Sequence, residues 1–282
     1  MDTLQNMKDA INYIEENLDG EIEYGKIAEI ALCSQYHFQR MFAFLIGIPL
    51  SEYIRRRRLT LAAFDLQNDG VKVIDTAMKY GYSSPDSFSR AFMAMHGIMP
   101  SKVRENSSLL KAYPRVTFSL SLKGVVEMNY KIVQKNEFSI VGIKQRFSHT
   151  EGLGESVGKM WGETPEETIT QIAELGNELI GVYSGMYEDN TTDYYIATIS
   201  DKTPPDGMCS LEIPSLTWAV FEIVGPMPTA MGDVWGRIFS EWFPTSGYEH
   251  AEAPEVEWYS NGDMDSADYK SEIWIPVIKS KN

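Results

Sequence analysis

The chain has 282 residues with a formal net charge of −15, 43% hydrophobic and 23% charged, a globular composition at a length that suits about two domains. No apolar run approaches the ~18 residues of a membrane span, and the opening MDTLQNMKDAINYIEENL lacks the basic-then-apolar pattern of a signal peptide. Only Cys33 and Cys209 are present and His37, His96, His149 and His250 are scattered, so no disulfide framework, zinc site, haem site or other cofactor is expected, and the expected compartment is a reducing cytoplasm.

The charge is uneven. Residues 1–124 hold 15 Lys+Arg and 14 Asp+Glu, a net of 15 − 14 = +1, whereas residues 125–282 hold 10 and 26, a net of 10 − 26 = −16. All six tryptophans (Trp161, Trp218, Trp235, Trp242, Trp258, Trp274) also lie in the second part. Composition divides the chain in two, and its acidity says little about the partners of the first part.

Leu4, Met7, Ile11, Ile14 and Leu18 recur at three- and four-residue steps, which predicts an amphipathic helix over residues 4–18. IEYGKIAEIAL predicts a short helix carrying Ile27, Ile30 and Ala31. After the break at Cys33-Ser34, QYHFQRMFAFLIG resumes with Phe38, Met41, Phe42 and Leu45 on one face, Ser34 as N-cap, and Gly47 and Pro49 as the stop. Two short helices joined by a tight turn make a helix-turn-helix. The same order returns as VIDTAMKY, the turn GYSS with Gly81, and PDSFSRAFMAM with Pro85 at its first position, ended by Gly97 and Pro100. The frame F-x-R-x-F-x-x-x-x-G-I begins at Phe38 and again at Phe88, an offset of 88 − 38 = 50. Between the copies, PLSEYIRRRRLTLAAFDLQNDG predicts one longer helix stopped by Asn68-Asp69-Gly70.

Opposite the apolar face, the first copy carries Gln35, Tyr36, Gln39 and Arg40, and the second carries Asp86, Ser87, Ser89 and Arg90. Arg and Gln reach guanine and adenine edges bidentately, and two such helices in one chain reach successive major grooves roughly 34 Å apart. The plainer alternative is a pair of packing helices with solvated polar faces; repetition of one outward Arg at fixed spacing favours DNA. Within Arg55–Arg58, the ~100° turn per residue lets Arg55 and Arg58 share a face while Arg56 and Arg57 point elsewhere. At least two of the four are expected to be solvated or salt-bridged, with Arg55 the candidate for a phosphate contact.

Residues 107–128 read as a connector. MNYKIVQKNEFSIVGIKQRF then predicts two strands, and the order β-α-β-β follows twice. In the first unit FSIVGIKQRF, GESVGKMWGETPEETITQIAEL, ELIGVYSGMY and DYYIATIS supply it; in the second, TWAVFEIVG, PTAMGDVWGRIFSEWF, EVEWYSN and YKSEIWIPV. Two pseudo-symmetric halves imply a cleft between them. Acids at strand positions are Glu222, Glu257 and Glu272, and alternation in YKSEIWIPV puts Glu272 and Trp274 on one face, Ile273 and Ile275 on the other. Aromatic faces attract a cation and an acid neutralises it, so Glu272, Trp274, Glu222, Trp218, Trp258 and Tyr187 form the candidate ligand-binding set. Trp161 and Trp235, on helices, read as core.

From about residue 5 to residue 106 the chain resembles the DNA-binding domain of AraC/XylS-family transcription regulators of the Rob/MarA type, through SQYHFQRMF, YIRRRRL, GYSSPDSFSRAF and GIMPSKVR in that order. The resemblance implies that Tyr36, Gln39 and Arg40 on one helix, and Ser87, Ser89 and Arg90 on the other, approach DNA. It also implies Lys or Arg where this chain has Ala43-Phe44 and Met93-Ala94. With a net of only +1, binding is expected to be strongly salt-sensitive. Residues from about 128 to 280 resemble the gyrase-inhibitor-like (GyrI-like) effector-binding domain, also found in Rob- and BmrR-type regulators, through SEWFPTSGYE, PEVEWY and SEIWIPV. That likeness implies a small-molecule pocket at the pseudo-two-fold cleft, with Glu272 as the acid of the last strand. A minority of such domains resemble hydrolases of strained rings.

The expected fold is multidomain. It has an all-α domain of two helix-turn-helix units joined by a linker helix over 1–108, a linker over 109–127, and an α+β domain of two β-α-β-β units over 128–282. The expected function is a bacterial, cytoplasmic DNA-binding transcription regulator, not an enzyme, whose effector is a lipophilic cationic or aromatic compound. Its expected partners are double-stranded promoter DNA and the effector, with RNA polymerase as a candidate third and no membrane. Rival readings are a small-molecule hydrolase and a drug-sequestering protein, each with an accessory DNA-binding domain.

Overall fold

The computed structural model describes residues 3–105, 110–117, 127–148, 153–185, 187 and 191–280. The chain divides into two compact units, Met1–Phe38 with Ile48–Ser121, and Gln39–Gly47 with Leu122–Asn282. Helices α1 (Thr3–Glu16), α2 (Tyr24–Ala31), α3 (Gln35–Ile46), α4 (Leu50–Leu66), α5 (Val73–Lys79) and α6 (Pro85–His96) follow the predicted order, and the boundary between the units falls inside α3.

In the helical unit the apolar spacing becomes core: Met7, Ile11, Ile14 and Leu18 of the first stretch are buried, as are Phe38, Phe88 and Phe92 of the repeated frame. The two turns are built alike. Leu32 and Cys33 donate their N–H groups to Glu29 O and Ala28 O, just as Gly81 and Tyr82 donate to Met78 O and Ala77 O. Both turns need a left-handed residue, Leu32 at φ 56° and Gly81 at φ 78°, which costs the leucine about 1–2 kcal/mol that the glycine avoids. Ser84 caps α6, accepting the Ser87 N–H at 3.2 Å, with Pro85 at the first position and Gly97 left-handed at the end.

All four arginines of the run are engaged within the helical unit. Arg55 and Arg56 pair with Glu52 at 2.7 and 2.5 Å, Arg57 pairs with Glu15 at 2.7 Å, and Arg58 donates to Leu18 O and Gly20 O beyond the end of α1. Residues 110–117, inside the expected linker, pack on this unit: Tyr113 N–H donates to Thr60 Oγ1 at 3.1 Å and Val116 N–H to Tyr53 Oη at 3.2 Å. Residues 109 and 118–126 of that linker lie outside the described residues.

The second unit is built on strands β1 (Tyr130–Lys135), β2 (Phe138–Ser148), β3 (Leu179–Ser184), β4 (Thr191–Ile199), β5 (Cys209–Ile213), β6 (Leu216–Val224), β7 (Tyr248–His250), β8 (Glu255–Tyr259) and β9 (Lys270–Lys279). They form an antiparallel sheet in the order β1-β6-β9-β8-β3-β4-β2-β5, with β7 paired to β9. The predicted strands are present, and the short β5 and β7 are additions. Helix α7 (Leu153–Glu163) stops at Thr164-Pro165 before α8 (Glu166–Leu175), so the single helical region expected there is two helices, as a proline without an N–H dictates. Helix α9 (Thr229–Arg237) continues through a π-helical turn, Ile238–Trp242, into α10 (Phe243–Ser246).

The duplication has an axis. At the centre of the sheet Val182 of β3 lies opposite Val256 of β8, an offset of 256 − 182 = 74. Helices α7 and α9 carry G-x-x-W-G at Gly158–Gly162 and Gly232–Gly236, and their tryptophans share that offset, 235 − 161 = 74. One face of the sheet buries Ile140, Ile180, Val182, Trp218, Val256 and Trp274. The other packs Tyr194 and Ile196 against Val157, Met160 and Ile172 of α7 and α8.

Candidate functional site

On the helix-bearing face, Glu257 of β8 sits beside the axis, 4% exposed, opposite Gly181 of β3. Its Oε1 accepts Trp235 Nε1–H at 2.8 Å, and its Oε2 accepts the hydroxyls of Tyr194 at 3.0 Å and Tyr259 at 2.8 Å. Trp161 Nε1–H donates in turn to Tyr194 Oη at 2.9 Å, so both repeated tryptophans feed one carboxylate. Burial raises Glu257 above the usual carboxylate range, and Glu255 nearby adds to the rise, against the three donors. Burial likewise holds the Tyr183, Tyr194 and Tyr259 phenols far above their usual range, which keeps them protonated and lets Tyr194 and Tyr259 donate to Glu257.

Glu255, two residues earlier on the same face, is also buried. It accepts Arg40 Nε–H at 2.9 Å, pairs with Arg40 Nη2, and lies 2.8 Å from His250 Nε2. Burial would raise its carboxyl, but Arg40 and His250 outweigh that and hold it down at about 2. The Arg40 Cζ lies 5.9, 6.0 and 5.8 Å from the ring centroids of Tyr183, Trp235 and Phe239. Phe44 stacks on Phe239 at 4.6 Å. The internal symmetry explains why both acids come from one half: the same offset of 74 relates Gly181 to Glu255 and Tyr183 to Glu257. A Cβ on Gly181 would lie 2.0 Å from Tyr194 Oη and 3.0 Å from Glu257 Oε2, so glycine leaves the room the network fills.

The predicted ligand residues divide differently. Glu272 lies opposite Trp258 and Glu222, on the face away from Glu257, as strand alternation requires. It accepts Trp274 Nε1–H at 2.6 Å, and Lys131 pairs with both Glu272 and Glu222 at 3.4 and 3.2 Å. Trp218 is fully buried in the core of that face, and the indole N–H groups of Trp218 and Trp258 have no partner among the described residues. Tyr187 is exposed and apart, donating to Asp193 Oδ2 at 3.0 Å under the Arg146 guanidinium. Trp161, Trp235, Tyr183, Tyr194, Tyr259, Glu255 and His250 were not singled out as ligand residues by sequence. The G-x-x-W-G repeat is the signal that finds the two tryptophans.

The DNA-facing candidates also separate. Arg90 is exposed and Ser89 half-buried, while Ser87 spends its hydroxyl on the helix start, donating to Ser84 O at 2.8 Å. Tyr36 and Gln39 are half-buried. The expectation of an outward Arg40 is corrected: its guanidinium is buried because a carboxylate, Glu255, meets it there. Among the described residues no group of His, Cys, Asp and Glu could hold a metal ion, and no helix is long and apolar enough to cross a membrane.

Paired helix-turn-helix motifs with an acid-centred aromatic cluster in a pseudo-two-fold sheet define a DNA-binding regulator with a ligand-binding domain. A GyrI-like small molecule binding domain model matches residues 128–278, and a helix-turn-helix domain model matches residues 27–106. The HTH-type transcriptional activator AarP of Providencia stuartii is 44% identical over 92 residues, 33% of this chain and 68% of AarP. The transcriptional regulator Rob of Salmonella typhimurium is 28% identical over 148 residues, 52% of this chain and 50% of Rob. Among solved structures, SAV2435 bound to tetraphenylphosphonium is 23% identical, covering 54% of this chain and 94% of its own, with a TM-score of 0.49. The chain belongs to the AraC-type DNA-binding regulators that carry a GyrI-like small-molecule-binding domain.

Proposed function

We propose that the aromatic cluster around Glu257 and Glu255 opens as a chamber for a lipophilic cation and that its occupancy controls DNA binding. The observation that carries this reading is a buried carboxylate, Glu257, ringed by the polar tips of Trp235, Tyr194 and Tyr259, with the buried Glu255 two residues away. A buried acid is costly unless paired, and a cation among aromatic faces is recovered twice, by charge and by the ring quadrupoles. Tetraphenylphosphonium titrated onto the full chain should quench tryptophan fluorescence saturably, and neutral triphenylphosphine oxide should bind far more weakly. Equal affinity for the two, or no quenching by the cation, overturns the reading.

On the DNA side, Tyr36 and Gln39, joined by Arg40 when it leaves Glu255, form the first reading head and Ser87, Ser89 and Arg90 the second, with Arg55 near phosphate. The exposure of Arg90 supports its role. Arg90→Ala should weaken binding to a duplex selected from a random pool by about 1–3 kcal/mol and relax preference at one base position. A loss uniform across sequences, read by fluorescence anisotropy, assigns Arg90 to phosphate instead. The two family matches support a division into 1–108, a linker 109–127 and 128–282. AarP's name as an activator supports RNA polymerase as a further partner, and a DNA partner in a bacterium means a cytoplasmic site.

A further inference from the structure

Arg40 and Phe44 stand four residues apart on α3, so their side chains share a helix face. Both belong to the second unit, whose limits include Gln39–Gly47. Arg40 presents two N–H groups to the two oxygens of Glu255, and its charge lies among Tyr183, Trp235 and Phe239. Phe44 adds an aromatic ring, stacked on Phe239 at 4.6 Å and 6.1 Å from Trp235. A cation and an arene presented together are the chemistry assigned above to the effector. A side chain that reads a base edge has to be accessible, yet the Arg40 side chain is only 9% exposed. Pairing with Glu255 and reading DNA exclude each other.

We propose that Arg40 and Phe44 are an internal occupant of the effector site, holding the place of an aryl cation with paired N–H donors such as an aryl amidine or aryl guanidine, and that binding of such a compound releases Arg40 for DNA. The effector half of this inference rests on the chamber being a cation site; the latch half does not. The amidinium class follows from Glu255, whose two oxygens accept a planar fork that a quaternary cation cannot supply. The coupling is reciprocal: whatever empties the chamber of Arg40 favours DNA, and DNA bound through Arg40 favours the effector. If the latched form holds nine molecules in ten, the apparent effector affinity is about tenfold below that of the empty chamber.

Two measurements on the full chain test it. In the first, benzamidine and tetraphenylphosphonium are titrated onto wild type, Arg40→Ala and Phe44→Ala, with tryptophan fluorescence as readout. Both variants should bind about tenfold more tightly, and benzamidine should gain more than tetraphenylphosphonium in Arg40→Ala. Unchanged affinities overturn the occupant. In the second, with no effector present, Glu255→Gln and Phe44→Ala are compared with wild type on one selected duplex. About tenfold tighter DNA binding is expected in each, and DNA affinities equal to wild type in both variants overturn the latch. Should no cation bind any variant while the DNA gain appears, the latch stands and the cation reading of the chamber fails.

Discussion

Glu257→Gln should lower tetraphenylphosphonium affinity about 30-fold or more at a pH where the wild-type carboxylate is ionised, as loss of a desolvated charge partner typically costs at least ~2 kcal/mol. The size follows from the site. Glu257 is buried, and Gln keeps the shape and one acceptor for Trp235 while removing the charge. In wild type the proton and the cation compete for this carboxylate, whose affinity for the proton burial has raised above the ordinary 4.5. Affinity for the cation should therefore climb with pH through a window lying above 4.5, and Glu257→Gln should flatten that climb. Stability moves the other way. A raised acid binds its proton more tightly when folded, so its contribution is fully present below 4.5 and is lost as pH rises through the folded value. Glu255, depressed to about 2, has the opposite sign: its contribution is present above 4.5 and is lost as pH falls toward 2. Urea melts and titrations across pH separate the two. A climb in affinity that survives in Glu257→Gln would move the charge to another group.

What the sequence disclosed and what it hid differ by the range of the interactions. The repeated frame at Phe38 and Phe88 was legible because caps, turns and apolar spacing act within a few residues; Ser84, Pro85 and Gly97 each do what their chemistry implies. The order of strands was legible for the same reason. Arg40 was misplaced because its partner, Glu255, is 215 residues away, and helical spacing marks a polar face without saying what meets it. Arg55 through Arg58 read more easily, since one glutamate three and four residues back claims two of them. The acid was a matter of parity. Glu257 and Glu272 both alternate with apolar neighbours on adjacent strands, yet β8 and β9 register Glu257 against Ile273 and Glu272 against Trp258. That places the two acids on opposite faces, and only the packing of α7 and α9 decides which face holds the repeated tryptophans. The offset of 74 shared by Trp161 with Trp235 and by Val182 with Val256 carried that answer, though only once the sheet register was known.

Gly181→Ala should cost about 2–4 kcal/mol, the sum of overpacking a filled site and stranding buried hydrogen-bond partners. The Cβ would fall 2.0 Å from Tyr194 Oη and 2.8 Å from its Cζ, distances no packed structure tolerates. Tyr194 has little room to retreat: its ring is fully buried, 4.7 Å from that of Tyr183, and its hydroxyl is tied to both Trp161 and Glu257. Gly162 gives the contrast, since a Cβ there meets nothing within 4 Å and Gly162→Ala in α7 should gain up to ~1 kcal/mol from helix propensity. Adding Tyr194→Phe to Gly181→Ala relieves the contact with the oxygen but not the one with Cζ, so thermal melts should show partial recovery of stability. Cation affinity should not recover with it, because the Tyr194 hydroxyl is one of three donors that orient the Glu257 carboxylate. Stability and binding then separate in the double variant. Gly181→Ala melting with wild type would mean that Tyr194 can leave the network freely, and the carboxylate would then be held by Trp235 and Tyr259 alone.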